Sequence, residues 1–224
     1  MGVKPGGPDL AGTGWALLGM LSGGNELSGY DIKKWSNWVV RFFYQSPAHS
    51  QIYSELRKLE RLGLVTSRVD HDGGIRSRRL YKITDSGMEA ITRWTNEAPY
   101  DPPILKHSVL MRITIGHLSQ PGKLKELLQE HISYCDAMLR EAGTEARWTK
   151  QQPAWAYANI ALKWAERYYA SERELALQLV KDLDEAEAVF ATAFDGSDGE
   201  SPWPMRDYWY EIEKRVKAEE DRND

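Results

Sequence analysis

Cysteine is nearly absent. The single thiol, Cys135, excludes an internal disulfide framework and any zinc site built on clustered cysteines, and it suits a reducing compartment. Long apolar runs are missing as well. The longest, Trp15–Leu21, has Gly19 inside it and falls far short of the roughly 18–20 residues a membrane helix needs, so no membrane partner is expected. The same run makes a poor secretory leader, with Lys4 as the one basic residue ahead of it and Asp9 nearby. Gly2 follows Met1, but Gly6 stands where N-myristoylation requires Ser or Thr. A cytoplasmic location is the expectation. His49, His71, His107, His117 and His131 show no metal-ligand spacing, so neither a metal nor another cofactor is expected. No nucleophile–base pair, glycine-rich phosphate loop or paired carboxylate motif stands out, which argues against an enzyme. There is no internal repeat.

What remains is an ordinary globular chain of 224 residues, 28% charged and 42% hydrophobic, long enough for one large domain or two small ones. Its net charge of −4 is unevenly divided. Residues 1–98 hold 13 Lys/Arg and 10 Asp/Glu (+3), whereas residues 99–224 hold 16 and 23 (−7). Such a division suggests an N-terminal part that meets a polyanion and a C-terminal part with another task.

Residues 1–12 are rich in Gly and Pro and read as a disordered tail. A short apolar helix is predicted from Thr13 to Leu21. Ser28 opens a second, with Asp31 placed to reach back to the free N–H groups and Ile32, Trp35, Val39 and Phe42 on its core face. Ser46-Pro47 predicts the start of a third helix, running to Gly63 with Ile52, Leu56 and Leu59 buried. Residues 64–70 and 75–83 read as two strands joined at Asp72-Gly73-Gly74, and Thr84 caps a fourth helix. Tyr100-Asp101-Pro102-Pro103 is a linker. Beyond it the pattern is all helical: Ile104–Leu118, Gln120–Gly143, a long segment from Pro153 to about Phe194, a loop at Asp195–Ser201, and a charged tail from Pro204. The long segment covers about 40 residues, or ~60 Å, more than a compact monomer of this size requires, so it calls for a partner chain. Domain limits are therefore expected at 13–98, 104–194 and 195–224.

Three helices, a hairpin and a further helix are the element order of a winged helix-turn-helix, whose third helix enters the DNA major groove. The fold expected is mainly α with a small β-hairpin: this N-terminal domain and an all-helical C-terminal dimerisation domain. On a helical wheel Ser50, Tyr53, Ser54, Arg57 and Arg61 fall opposite the apolar stripe of the third helix, with no acidic residue among them. Hydroxyls and the Gln51 amide near a helix N-terminus suit base edges and phosphates. The hairpin carries Arg68, Arg76, Arg78, Arg79 and Lys82 against Asp70 and Asp72. Arg76, Arg78 and Arg79 lie just past the glycine tip, where guanidinium groups can reach phosphates or a minor groove. Tyr53 also fits a plainer role as an aromatic at the core boundary, and the hairpin a merely solvated ribbon.

The segments Ser28-Gly29-Tyr30-Asp31-Ile32, His49-Ser50-Gln51-Ile52-Tyr53-Ser54-Glu55-Leu56, Leu59-Glu60-Arg61-Leu62-Gly63-Leu64-Val65 and Tyr81-Lys82-Ile83-Thr84-Asp85-Ser86-Gly87 resemble the PadR family of bacterial transcriptional regulators, in that family's order and spacing across residues 13–97. The helical C-terminal half resembles the family's longer subgroup, related to its virulence-gene activators, where it serves dimerisation. The family's Ser-Gln-Ile-Tyr segment maps onto Ser50–Tyr53, which implies DNA contact there. The resemblance implies a homodimeric, cytoplasmic, nucleoid-associated regulator that binds double-stranded DNA at a pseudo-palindrome, a repressor in the first instance. The DNA-contacting set is then His49, Ser50, Gln51, Tyr53, Ser54, Arg57, Arg76, Arg78 and Arg79, and Leu128, Leu162, Leu175, Leu179 and Leu183 are the dimer-forming leucines. Trp148, Trp155 and Trp164, with tyrosines nearby, read first as dimer core; family members that take flat phenolic effectors make a small aromatic ligand the other reading. Cys135 lies on an apolar stripe and reads as core rather than as a redox sensor. The rival from another class is a winged helix used for protein interaction, with no DNA affinity.

Overall fold

The computed structural model describes residues 8–71, 77–120, 122–192 and 206–223. Two compact units emerge. One takes the chain up to Lys106 together with Ala137–Tyr169; the other takes His107–Asp136 and the chain from Ala170 onward.

The first unit begins with α1 (Gly12–Leu21), β1 (Leu27–Ser28), α2 (Gly29–Trp38) and α3 (His49–Arg61), then β2 (Val65–Asp70), β3 (Arg78–Ile83) and α4 (Asp85–Glu97). Its centre is a set of side chains with no exposure, Leu17, Leu18, Leu21, Ile32, Ile52, Leu56 and Leu59, drawn from α1, α2 and α3. Trp15 and Trp94 stack 5.3 Å apart at the side of this core.

Local chemistry sets the element limits. Ser28 and Asp31 form the expected reciprocal cap of α2: the Ser28 hydroxyl accepts from the Asp31 N–H at 3.3 Å, and the Asp31 carboxylate accepts from the Ser28 N–H at 2.9 Å. The third helix starts later than expected. Ala48 occupies its N-cap, because the Ser46 hydroxyl is engaged elsewhere, donating to Asn37 Oδ1 and accepting from Lys33 Nζ. Gly63 ends α3 at φ +71°, a left-handed conformation that lets the Leu64 N–H return to the Leu59 carbonyl at 2.9 Å. Thr84 caps α4 by accepting from the Gly87 N–H at 3.0 Å.

The sheet has three strands in the order β1-β3-β2, not the two expected. β1 pairs antiparallel with β3, setting Leu27 opposite Tyr81 and Ser28 opposite Leu80. β2 pairs with the other edge of β3, from Val65 opposite Ile83 to Asp70 opposite Arg78. The Asp72-Gly73-Gly74 turn lies outside the described residues.

Two long helices pass through both units: α6 (Lys123–Thr149) and α7 (Ala156–Thr192), joined by a 3-10 turn at Pro153–Trp155. α6 does not stop at Gly143 as expected. That glycine is buried inside the helix, where a Cβ would come 2.6 Å from Glu166 Oε1 of α7, so it marks close helix packing rather than an end. Within the first unit the buried Asn159 amide donates to the Ala146 carbonyl at 2.6 Å and the Thr149 hydroxyl at 2.8 Å. The Tyr169 hydroxyl donates to the Phe42 carbonyl at 3.1 Å.

In the second unit α5 is Ser108–Thr114, much shorter than the helix expected from Ile104. Residues 101–107 carry no helix, and Ile104 and Leu105, at the end of the first unit's N-terminal stretch, are exposed, with no described residue covering them to repay ordering the chain. Val109, Leu128, Ile132, Ala176 and Leu183 form this unit's core. α8 (Arg206–Asn223) is a charged helix with Tyr208, Trp209 and Tyr210 exposed. Among the described residues no helix is long and apolar enough to cross a membrane.

Candidate nucleic-acid interface

α3 turns Ile52, Leu56 and Leu59 into the core and leaves His49, Ser50, Gln51, Ser54, Arg57 and Arg61 exposed. The sequence-predicted polar face is therefore one continuous surface. Gln51 also has a local task, its amide oxygen accepting from the Ala48 N–H at 2.8 Å at the start of the helix. Lys33 donates to the Pro47 carbonyl at 2.8 Å and fixes the turn from α2 into α3. Tyr53 fits the plainer reading, an aromatic at the core boundary, and keeps an open face as well. Its ring covers Gly29 of α2, where a Cβ would lie 2.6 Å from Tyr53 Cε1, yet 39% of the residue remains exposed.

β3 runs beside this face. Burial pushes the Tyr81 phenol above its ordinary range, while the charges of Arg79 and Arg57 pull it back, so a guanidinium from the wing and one from α3 act on the same side chain. Arg57 and Lys82 form no ion pair among the described residues.

The wing arginines are not free. Arg78 donates to Asp70 at 3.1 Å across the β2–β3 ladder, and Arg68 bridges Glu26 at 2.6 Å and Asp70 at 3.4 Å. The Arg78 hydrogen bond holds the Asp70 carboxyl below the usual carboxylate range against the effect of desolvation, and Arg68 does the same for Glu26. Arg79 reaches Ser67 at 3.2 Å and Glu60 at 3.8 Å. Each side chain keeps about half its surface open (54% for Arg78, 52% for Arg79). Arg76 lies outside the described residues. Glu26 was not foreseen as a wing partner; it depends on β1, whose two residues are too few for a periodic signal.

The five leucines assigned to dimerisation divide. Leu128, Leu162 and Leu183 are buried within the chain, and Leu179 packs at the edge of the second unit's core; Leu175 is 55% exposed. The three tryptophans also divide. Trp148 and Trp155 meet Trp38 edge-on at 5.5 and 4.8 Å, and Trp155 also meets Trp35, whereas Trp164 stacks on Tyr168 and is half exposed. Trp35 and Trp38, on α2, were not named for this cluster.

One convergence runs against expectation. His107, His131 and Glu172, without metal-ligand spacing in the sequence, bring their ligating atoms within 4.8 Å of one another, a geometry able to hold a metal ion. Burial works to raise the Glu172 carboxyl, but hydrogen bonds from both imidazoles outweigh it and hold the group below its ordinary range. Cys135 is fully buried beside them, and desolvation pushes its thiol up to about 11, which suits a core residue.

A family model described as the transcriptional regulator PadR-like family matches residues 17–93. The negative transcriptional regulator PadR of Bacillus subtilis (strain 168) is 36% identical over 127 residues, which are 57% of this chain and 69% of that protein. The crystal structure of smu.1604c from Streptococcus mutans UA159 superposes with a TM-score of 0.68 at 25% identity, covering 77% of this chain and 99% of that one. Crystal structures of Bacillus subtilis PadR share the fold. The complex with operator DNA gives a TM-score of 0.63 at 24% identity over 75% of this chain and 97% of that one. The complex with p-coumaric acid gives 0.59 at 22% identity over 76% and 94%.

Proposed function

This chain belongs to the PadR-like family of transcriptional regulators, and from that premise we propose that it represses transcription by binding a pseudo-palindromic operator as a homodimer. α3 of each subunit reads one half-site in the major groove, and the β2–β3 wing lies along the flanking backbone. The observation that carries this reading is the outer face of α3, where hydroxyl, amide and guanidinium side chains stand together, flanked by half-open arginines of the wing. Ser50, Gln51, Ser54 and Arg57 offer donors to base edges, and His49, Arg78 and Arg79 face phosphates; by its place in the sequence, two residues before Arg78, Arg76 is assigned to the same phosphate contacts. Tyr53 is held in place by α2 and makes the central contact.

Residues 13–98 form the DNA-binding part and residues 104–194 the dimerisation part. The exposed apolar side chains Tyr157, Ile160, Trp164 and Leu175 of α7 supply the dimer contact, which supports a partner chain better than the buried leucines do. Light scattering on the purified chain tests the dimer. Operator binding is tested by fluorescence anisotropy: Tyr53→Ala and Arg57→Ala each weaken it while the dimer persists. A well-folded dimer without DNA affinity would instead mark a protein-interaction module.

A small aromatic effector is the second element of the proposal. Trp35, Trp38, Trp148 and Trp155 present ring edges and faces to one another within the first unit, the kind of surface on which a flat phenolic acid rests. Release of operator DNA by p-coumaric acid, lost in Trp155→Ala, tests it.

A further inference from the structure

The second unit holds a cluster of chemistry that DNA binding does not use. His107 precedes α5, His131 lies on α6 and Glu172 on α7, so three separate segments converge. The Nε2 atoms of His107 and His131 lie 2.6 and 3.0 Å from the same Glu172 Oε1. One turn beyond His131, the Cys135 Sγ stands 3.7 Å from His131 Nε2. The three triad side chains are only 13–17% exposed, and Cys135 has no exposure.

We propose that His107, His131, Glu172 and Cys135 form a four-ligand site for a zinc-type divalent cation. Zinc takes N, O and S ligands in a tetrahedron, whose edges at ordinary bond lengths are about 3.3–3.6 Å. The ligating atoms of His107, His131 and Glu172 already lie within 4.8 Å of one another, whereas Cys135 Sγ, 3.7 Å from His131 Nε2, stands outside that group and has to turn in as the ion is seated. A thiolate with two imidazoles excludes the hard cations, which prefer all-oxygen shells. The neighbouring charge is met: Arg173 pairs with Asp136 at 2.8 Å and does not oppose the ion. His107 Nδ1 accepts from the Leu110 N–H at 3.3 Å, which puts the ring proton on Nε2. Metal binding displaces the Nε2 protons of His107 and His131, each ring takes one up at Nδ1, and the exposed Leu110 N–H turns to water. The Cys135 proton leaves to solvent, so affinity rises with pH. The ion would tie α5, α6 and α7 together beside the hydrophobic core of this unit, which includes Val109, Ile132 and Ala176 of the same helices.

The test uses tag-free, metal-depleted full-length protein titrated with Co²⁺ and then Zn²⁺. The expected result is one Co²⁺ per chain, with the intense visible bands of tetrahedral cobalt and a near-ultraviolet thiolate-to-cobalt band that Cys135→Ser abolishes. Zn²⁺ displaces the cobalt and raises the melting temperature of the wild type. Glu172→Gln and His131→Ala, with native far-ultraviolet circular dichroism, bind Zn²⁺ at least tenfold more weakly. Absence of tetrahedral bands in the wild-type protein reduces the cluster to a hydrogen-bonded triad and overturns the proposal. So does a thiolate band that survives Cys135→Ser, or unchanged Zn²⁺ affinity in the two folded variants. None of these readouts involves DNA, so the outcome is independent of the regulator reading.

Discussion

The ring of Tyr53 lies against Gly29, close enough that a Cβ at position 29 would meet Tyr53 Cε1 at 2.6 Å and Cζ at 2.7 Å. Gly29 is the first residue of α2, and Tyr53 stands in the second turn of α3. The absence of one methyl group on α2 thereby aims the most prominent side chain of the proposed DNA-reading face.

Gly29→Ala is therefore expected to swing the Tyr53 ring outward. Folding stability changes by no more than about 1 kcal/mol, since improved helix propensity offsets the local crowding. Operator affinity falls at least fivefold. Melting temperature and fluorescence anisotropy check the two halves, and wild-type affinity would show that the glycine does not position the tyrosine.

The wing yields a prediction of opposite signs. Arg78→Ala removes a phosphate contact and lowers the slope of log affinity against log salt by about one unit. Asp70→Asn frees Arg78 and Arg68 from their shared carboxylate and steepens that slope. Binding isotherms between low and near-physiological salt measure both, and equal slopes in the two variants would remove the wing from the interface.

Gly87 tests the junction of wing and core. A Cβ there would stand 2.0 Å from the Leu64 carbonyl oxygen, a backbone atom that cannot swing aside. Gly87→Ala is expected to destabilise the protein by about 1–3 kcal/mol although alanine favours helix. Urea denaturation measures it; a gain in stability would contradict the close approach.

The α2 cap gives a pH dependence. Burial works to raise the Asp31 carboxyl, but the hydrogen bonds from Ser28 outweigh it, and the folded value lies below the ordinary one. A depressed carboxylate contributes stability that is present above the unfolded value and lost as pH falls through the folded one. The denaturation midpoint should thus fall between about pH 5 and pH 3, and part of that fall should vanish in Asp31→Asn, which lacks the titrating group. An identical pH profile for the variant would exclude the cap as its source.

Much of this was legible in the sequence because the signals are local. Ser28 with Asp31, Thr84 before its helix, and the stripe of Ile52, Leu56 and Leu59 each act within one or two turns. Three misreadings share the opposite cause. Ser46 resembles a cap, but Lys33 and Asn37 from the preceding helix claim its hydroxyl. Gly143 resembles a helix end, but its small size serves the approach of Glu166. β1 is only two residues long and exists through pairing with a strand some fifty residues later. The His107–His131–Glu172 convergence is the extreme case, since no spacing rule joins residues from three segments. The tryptophans fall between: Trp148 and Trp155 were visible as aromatics, while Trp38, which joins them, sits in α2 and gave no sign of it.

Selection of genomic DNA fragments by the purified protein at near-physiological salt, followed by sequencing, tests the central claim most directly. The account predicts enrichment of a two-fold symmetric site by the wild-type dimer, and its loss in Tyr53→Ala although that variant remains folded and dimeric. A well-folded dimer that enriches no sequence, or a Tyr53→Ala variant that enriches the same site equally well, would contradict it.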